Sequence, residues 1–192
     1  MPINKKEWLE RLLYWKQKWT QFPPECDNDE NGISLYKFTQ ILQENLRNDD
    51  VLVGDAGSVG YVLSQSLELK GEQRYLLDSG QMSMGSAIGM SCGACLARDN
   101  KDVICIVGDG SFFTGMRELS PIIYNKLRVK IFVWDNNGYL SIRNTSKSFY
   151  DGRLFGTDTQ HGVHFPELCE VAKCYDLKYL YCDKIKYLSE TI

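Results

Sequence analysis

Residues 103–111, VICIVGDGS, join a short apolar run to a glycine-rich turn that holds a single carboxylate. The five residues from Val103 to Val107 are all apolar, which predicts a buried β-strand. Asp109 follows between two glycines, at the point where the strand would end. Because a desolvated and unpaired carboxylate is costly, we expect Asp109 to have a partner at this end of the strand.

On both sides of this strand, short apolar runs alternate with segments of helical periodicity. The pattern predicts strands over residues 51–55, 74–80, 102–110, 129–138 and 178–182. It predicts helices over residues 5–20, 35–47, 59–68, 84–97, 115–126 and 166–174, and a loop over 139–165. Strands that alternate with helices of about 10–15 residues indicate βαβ units. The predicted fold is therefore α/β, an open parallel sheet with helices on both faces, preceded by an N-terminal helix.

The N-terminal segment differs in character from the rest of the chain. Four large apolar residues fall there at helical spacing: Trp8, Leu12, Trp15 and Trp19. Their stripe predicts an amphipathic helix that docks on the body of the protein or on a neighbouring domain. A polar linker with two prolines, QFPPECDNDENG, follows the helix. We therefore expect an N-terminal helix and linker over residues 1–32 and one α/β domain over residues 33–192.

Composition excludes several classes of partner. The 192 residues carry a net charge of −3, which offers no electrostatic attraction to nucleic acid or to an anionic membrane. No apolar run in the sequence approaches the roughly 20 residues of a membrane-spanning helix. The seven cysteines are odd in number and scattered, which favours reduced thiols and a cytoplasmic location. Cys92 and Cys95 have redox spacing, but they fall within a predicted helix and are expected to be buried thiols.

Three predicted strands end in residues that suit an anion and a cation. The segments are Gly54–Ser58, Gly108–Ser111 and Asp135–Gly138. Ligands of open α/β sheets bind beyond the carboxyl ends of the strands, and backbone amides near glycines suit a phosphate. Asp109 and Asn136 offer the hard oxygen atoms that Mg²⁺ or Ca²⁺ prefers. These features predict a site for a divalent cation and a diphosphate.

The spacing of the two oxygen donors strengthens this prediction. Asn136 lies 27 residues after Asp109, with one predicted helix and one predicted strand between them. A connection of that length returns the chain to the neighbouring strand end by a right-handed crossover. We therefore expect Asp109 and Asn136 to lie close together.

The order of GDGS (108–111) and NNGY (136–139) resembles the diphosphate- and metal-binding signature of thiamine diphosphate-dependent enzymes. Together with GDAGS (54–58) and SGQMSMGSAIGMSCGA (79–94), it is most similar to the acetolactate synthase and 2-oxoacid decarboxylase group. The resemblance covers about residues 5–182, to the C-terminal diphosphate-binding domain of that group. It specifies the cofactor better than the substrate.

The resemblance implies a role for each matching residue at the metal. Asp109 would be the side-chain ligand of Mg²⁺, Asn136 the second ligand, and the backbone carbonyl of Gly138 the third. This sequence has Asp135 where the family usually has an asparagine, which leaves open whether the metal affinity is altered. If Asn137 is the ligand instead of Asn136, the carbonyl ligand moves to Tyr139.

The resemblance also implies which residues contact thiamine diphosphate. Four residues would contact the diphosphate: Gly57, Ser58, Gly110 and Ser111. Met84 matches the apolar residue that holds the cofactor in its bent form, and Met82 matches the position whose backbone meets the aminopyrimidine. Plain packing in the core is the alternative for both methionines. His161, His164 and Arg143 follow the signature and either border the substrate or lie in a solvated loop.

The group's activating glutamate belongs to a separate pyrimidine-binding domain, which nothing in these residues matches. The catalytic residue therefore stays unassigned in this chain. The resemblance implies that the partner domain lies on the same or another chain. It implies a lyase or transferase acting on 2-oxoacids, assembled as a homodimer or homotetramer, and no turnover by this chain alone. We expect a fragment truncated near its C-terminus, or else a dedicated small subunit. FAD, which some relatives bind in a middle domain, cannot be judged from these residues.

Two other functions stay open from the sequence. One is a transketolase- or dehydrogenase-type thiamine diphosphate subunit, which the residues after NNGY match less well. The other is a non-catalytic phosphate-binding module that keeps the fold. Binding of thiamine diphosphate compared with ATP, each with Mg²⁺, would distinguish them.

Overall fold

The computed structural model describes residues 5–19 and 21–192. Four parallel strands form one sheet in the order β2-β1-β3-β4. Their bounds are β1 Val51–Gly54, β2 Arg74–Leu77, β3 Val103–Gly108 and β4 Val129–Trp134. The predicted class, an open parallel α/β sheet with helices on both faces and a preceding helix, is confirmed.

The described part of the chain forms nine α-helices. They are α1 Lys5–Lys18, α2 Leu35–Asn45, α3 Ser58–Ser66, α4 Ser86–Ala97, α5 Asp109–Gly115, α6 Leu119–Tyr124, α7 Leu140–Phe149, α8 Leu168–Cys174 and α9 Ile185–Thr191. Two short 3₁₀ helices cover Pro24–Asp27 and Met116–Glu118. Three of the helices begin within a few residues of a strand end, and these three matter most for function: α3, α5 and α7.

The two faces of the sheet bury separate hydrophobic cores, because side chains alternate along each strand. On β3, Val103, Cys105 and Val107 pack with α4, α5, α6 and α8. Ile104 and Ile106 point to the other face, where they pack with α2, α3 and α9. The continuous apolar run of β3 is therefore explained by burial on both faces.

The strand order creates a crevice at the carboxyl ends of β1 and β3. The chain leaves β1 outward to β2 and then returns past β1 to β3, so the direction of winding reverses between these two strands. The helix after β1 packs on one face and the helix after β3 on the other. Such a reversal point is where open α/β sheets bind their ligands.

The structure corrects three predicted elements. Residues 178–182 form no strand, and Leu180 and Tyr181 remain 56% and 72% exposed, so the burial that favours strand pairing is missing. Residues 139–165 are not all loop, because α7 forms there. The helix predicted over 115–126 begins at Asp109 instead, and it is interrupted after Gly115, where the backbone packs against the backbone of Gly85.

Helix α1 buries none of its residues. Its indole rings contact one another, with the centroids of Trp8 and Trp15 at 5.9 Å and those of Trp15 and Trp19 at 6.1 Å. Thr20 and residues 1–4 of the predicted N-terminal region lie outside the described residues. Among the helices that the structure describes, none combines the length and apolar character needed to cross a bilayer.

Candidate functional site

A cavity lies in the crevice between the carboxyl ends of β1, β3 and β4. Its volume is about 110 Å³, below the roughly 300–1,000 Å³ of pockets that enclose small-molecule ligands. The polar residues and glycines that line it lie at or after the ends of the three strands: Gly57, Ser58, Gly108, Asp109, Gly110, Ser111, Asn136, Gly138, Tyr139 and Ser141. The residues described here therefore enclose only part of a ligand of cofactor size.

Asp109 is the carboxylate among the residues that line this cavity. Its side chain is almost fully buried, and its partners are backbone amides. Oδ2 accepts from the amides of Gly138 at 2.7 Å and Asn136 at 3.3 Å, and Oδ1 accepts from the amide of Gly110 at 2.8 Å. Burial raises the pKa of the carboxyl, and the three amides oppose that rise. The sequence predicted a partner for Asp109. Within this chain, that partner is the turn that follows β4.

That turn presents Asn136 and Gly138 to the cavity. Asn136 is half-buried and lines the cavity, whereas Asn137 is exposed and does not line it. Gly138 has a φ of +138°, and a Cβ atom there would overlap the carbonyl of Thr157, so only glycine fits. Asp109 and Asn136 are therefore brought together, and the geometry favours Asn136 over Asn137 as the residue that faces a ligand.

The four residues predicted to contact a diphosphate all line the cavity. Gly57 and Ser58 lie at the start of α3, and Gly110 and Ser111 lie in the first turn of α5. The start of α7 also lines the cavity. The first amides of a helix have no partner within the helix and carry a partial positive charge. Three helix starts at one cavity favour an anionic ligand.

One wall of the cavity is formed by Trp134, the last residue of β4. Its indole N–H is buried and has no acceptor among the described residues. A buried donor without an acceptor is uncommon in proteins.

The two methionines occupy different places. Met84 lines the cavity and is 42% exposed, and its Cε lies 3.4 Å from where a Cβ atom of Gly110 would be. Met82 does not line the cavity, and its Cε packs over Gly60 in α3. Exposure of Met84 argues against core packing for that residue. The contacts of Met82 are those of ordinary packing.

Asp55 is a structural counterpart of Asp109 that the sequence left without a role. It follows β1 as Asp109 follows β3, and it is fully buried. Its two oxygens accept from the amides of Gly85 at 3.0 Å and Ala87 at 2.9 Å, at the start of α4. Asp55 therefore fixes α4 against the sheet. The repeated Val-Gly-Asp after an apolar strand is the signal that could have identified it.

Arg143, His161 and His164, for which a place beside the substrate was one of two alternatives, do not line the cavity. Arg143 lies on α7, and its guanidinium donates to the turn after β4. Nδ1 of His161 lies 2.5 Å from Oδ1 of Asp158, and this contact lowers the pKa of that carboxyl. His164 is exposed.

A larger cavity of about 180 Å³ lies at the opposite edge of the sheet. The acidic residues that line it, Asp50 and Asp102, are already paired with arginines: Arg47 contacts both, and Arg128 contacts Asp102. Because these carboxylates are satisfied within the protein, we place the candidate site at the carboxyl edge.

The donor set at the carboxyl edge fits a magnesium ion bridged by phosphates. The described residues contain no group of three or more His, Cys, Asp and Glu side chains that could hold a metal. Mg²⁺ is commonly bound through one or two carboxylates together with the phosphates of a ligand. Asp109, the Asn136 amide and the Gly138 carbonyl would supply such a partial set.

Fold and cavity together define a class of protein, a parallel α/β domain whose ligand cavity lies at the carboxyl ends of the central strands. The model of one family, described as "Thiamine pyrophosphate enzyme, C-terminal TPP binding domain", matches residues 55–192. The chain belongs to this family. The resemblance read from GDGS and NNGY is confirmed.

Curated relatives extend this result over most of the chain. The acetolactate synthase large subunit of Parasynechococcus marenigrum is 26% identical over 169 residues, which cover 88% of this chain and 26% of that protein. The 3D-(3,5/4)-trihydroxycyclohexane-1,2-dione hydrolase of Listeria innocua is 30% identical over 168 residues, covering 76% and 26%. The chain thus spans about a quarter of the length of these relatives.

A solved structure agrees on the fold. Benzoylformate decarboxylase from Polynucleobacter necessarius superposes with a TM-score of 0.69 at 18% identity, over 83% of this chain and 30% of that one.

Proposed function

We propose that this chain is the cofactor-binding part of an enzyme that acts on 2-oxoacids, and that it holds the diphosphate of thiamine diphosphate through Mg²⁺. The observation that carries the proposal is the cavity where Asp109, Asn136 and the first residues of three helices meet. Family membership supports the cofactor, and the acetolactate synthase relative supports the substrate class. We propose residues 33–192 as the domain that does this.

Each part of the cavity has a distinct task in this proposal. Asp109 and Asn136 would bind Mg²⁺ with their side-chain oxygens, and Gly138 with its carbonyl. The amides around Gly57, Ser58, Gly110 and Ser111 would hold the phosphate oxygens. Met84 would support the cofactor from the open side of the cavity, and the backbone of Met82 would meet its aminopyrimidine.

The cofactor, when bound, supplies an electron sink for the carbanion formed from the substrate. The residues of this chain would bind and orient it, whereas its activation needs a glutamate from a pyrimidine-binding domain of the same or another chain. We propose a homodimer or homotetramer as the assembly that brings the two together. All seven cysteines are free thiols, which supports a reducing compartment, the cytoplasm.

The hydrolase relative favours a second candidate function. That protein is named for a cyclic dione, and it is 30% identical to this chain. A chain with the same cofactor site could therefore belong to an enzyme that hydrolyses a cyclic diketone. The two candidates share the cofactor and differ in the substrate.

The experiment is a calorimetric titration of the 192-residue chain with thiamine diphosphate and thiamine monophosphate, each with Mg²⁺. We expect the diphosphate to bind at least about tenfold more tightly, a difference of about 1.4 kcal/mol. Equal affinities would contradict a site built for the diphosphate. Release of carbon dioxide from pyruvate by this chain alone would contradict the need for a second domain, and turnover of a cyclic diketone by the assembled enzyme would favour the second candidate.

A further inference from the structure

Arg143 is bound to the backbone of the turn that carries Asn136. One nitrogen of its guanidinium donates to both the backbone carbonyl and Oδ1 of Asn136, each at 2.9 Å. The other terminal nitrogen donates to the carbonyl of Asn137 at 3.1 Å. The side chain is 15% exposed, so these contacts are largely shielded from water. Arg143 is the fourth residue of α7 and does not itself line the cavity.

Asp109 and Arg143 divide the polar groups of this turn between them. The carboxylate of Asp109 accepts from the amides of Asn136 and Gly138. The guanidinium of Arg143 takes the carbonyls of Asn136 and Asn137. The Gly138 carbonyl accepts no hydrogen bond from the described residues, so it remains available to a ligand. The planar fork of arginine, with its five donors in fixed directions, suits this task.

A second segment, residues 157–158, contacts both the turn and Arg143. The Thr157 carbonyl accepts from the amide of Tyr139 at 2.8 Å, and Gly138 forms a bridge with Asp158. A carboxylate oxygen of Asp158 lies 3.9 Å from the guanidinium. The arginine therefore has a nearby negative charge that offsets its own, and the turn is held between α7 and this segment.

We propose that Arg143 is a positioning residue that fixes the Asn136 amide and the turn at residues 135–138 in the geometry that binds the cation. The proposal rests on the proposed function of the same cavity. A guanidinium close to a cation also repels it, so the opposite outcome is well defined. If repulsion dominated, removal of Arg143 would strengthen cation binding.

The test compares Arg143→Met, Arg143→Lys and wild type in the full 192-residue chain. The affinity for Mg²⁺ is measured by calorimetry at a fixed concentration of inorganic pyrophosphate. Loss of a residue that orients a metal ligand typically costs 10–100-fold in metal affinity, so we expect at least a tenfold loss for Arg143→Met. Lysine keeps the charge without the fork and should lose less. Arg153→Met is the matched control, because it removes another arginine of the same region at an exposed position. This variant should leave the affinity for Mg²⁺ unchanged.

A spectroscopic measurement separates positioning from a general loss of structure. Trp134 lines the cavity, and replacing Trp8, Trp15 and Trp19 by Phe leaves it as the single tryptophan, because the chain has four. In this background, Mg²⁺ should change the Trp134 emission both with and without the Arg143→Met substitution. The substituted protein should need a higher Mg²⁺ concentration for the same change. Thermal melting without the cation reports whether each variant is folded. If Arg143→Met does not fold, Arg143→Lys decides, and an affinity equal to wild type would overturn the proposal.

The possible failures are distinguishable. A wild-type chain that shows no response to Mg²⁺ with pyrophosphate would overturn the proposed function and the role of Arg143 together. A wild-type response that Arg143→Met retains or strengthens would overturn the role of Arg143 alone.

Discussion

Asp55 and Asp109 follow two neighbouring strands with the same local sequence, Val-Gly-Asp, and both are buried. Both accept hydrogen bonds from backbone amides, yet they bind different parts of the molecule. Asp55 is enclosed by the start of α4 and does not line the cavity. Asp109 lines the cavity and holds the turn after β4.

The difference shows that local sequence does not decide the role of a carboxylate at a strand end. Asp55 is closed off by its partners because the start of α4 packs against it. Both residues border the point where the winding of the sheet reverses, but the turn that Asp109 holds leaves the crevice open beside it. One carboxylate therefore contributes to the fold, and the other remains accessible to a ligand.

The largest expected effect is on stability and separates the two carboxylates. The oxygens of Asp55 accept from different amides, so Asp55→Asn must set an NH₂ group against one of those donors. We expect a loss of about 3 kcal/mol in the free energy of unfolding, measured by urea denaturation. Asp109→Asn also sets its NH₂ group against a donor, the amide of Gly110, but it lines the cavity, where water can satisfy the displaced groups, and it should lose less, about 1 kcal/mol. Equal losses would remove the distinction.

The next effect is on ligand binding, and here substitution of Asp109 should have a larger effect than substitution of Asp55. Asp109→Asn should weaken Mg²⁺-dependent binding of pyrophosphate about 100-fold, which is about 2.7 kcal/mol, since it removes the anionic metal ligand. Asp183→Asn is the matched control, because Asp183 is exposed and does not line the cavity. It should bind within about twofold of wild type. Calorimetry checks both variants, and a large loss for the control would show that overall charge is what matters.

A smaller effect concerns the glycines at the two strand ends. A methyl group on Gly110 would overlap the ring of Tyr139, so Gly110→Ala should cost about 2 kcal/mol. Gly57 has room for a Cβ atom, but its φ of +68° and ψ of −138° lie in a region that glycine alone adopts readily, so Gly57→Ala should cost about 2 kcal/mol from backbone strain alone. Addition of Tyr139→Ala should reduce the cost of Gly110→Ala and leave that of Gly57→Ala unchanged. Thermal unfolding of the double variants measures this, and no such rescue would contradict the proposed overlap.

The smallest effect extends the comparison to Asp102, a carboxylate whose partners are arginines instead of backbone amides. Arg47 and Arg128 hold the pKa of Asp102 below its usual value. A lowered pKa in the folded state stabilises the protein at neutral pH, and that contribution is lost as the pH falls through the folded-state pKa. Asp102→Asn should therefore cost about 1 kcal/mol at pH 7 and progressively less below about pH 4.

Thermal melting of wild type and Asp102→Asn between pH 7 and pH 3 measures this convergence. Asp183→Asn, at an exposed position, serves as the control and should follow wild type throughout. A difference between wild type and Asp102→Asn that stayed constant with pH would show that the arginine pairs do not stabilise the charged form.

The sequence was sufficient for the features that follow from periodicity. The apolar runs predicted β1 to β4. The signal is strongest for β1 and β3, which are buried on both faces, whereas β2 and β4 are only partly buried. The 27-residue separation of Asp109 and Asn136 predicted their proximity, because a crossover connection of that length returns to the adjacent strand. The cavity residues were predicted through the resemblance to a known family.

The sequence was insufficient where tertiary contacts decide. Helix α7 contains Asn, Thr and several Ser residues, which favour turns by their own propensity, so it was predicted as a loop. The contacts of Arg143 depend on that helix and were missed with it. The roles of Asp55 and Asp109 differ through elements that return from elsewhere in the chain, which their identical local sequences do not encode. Residues 178–182 have the composition of a strand, but the described structure does not bury them.

The most direct test of the central claim is a calorimetric titration of thiamine diphosphate into the wild-type chain, with Mg²⁺ and with EDTA, beside ATP under the same conditions. The account predicts binding of thiamine diphosphate that requires Mg²⁺, is lost in Asp109→Asn and persists in folded Asp55→Asn, with ATP binding more weakly. Binding that is equal in EDTA, or equal in Asp109→Asn, would contradict the claim that Asp109 is the carboxylate that holds the cofactor's metal.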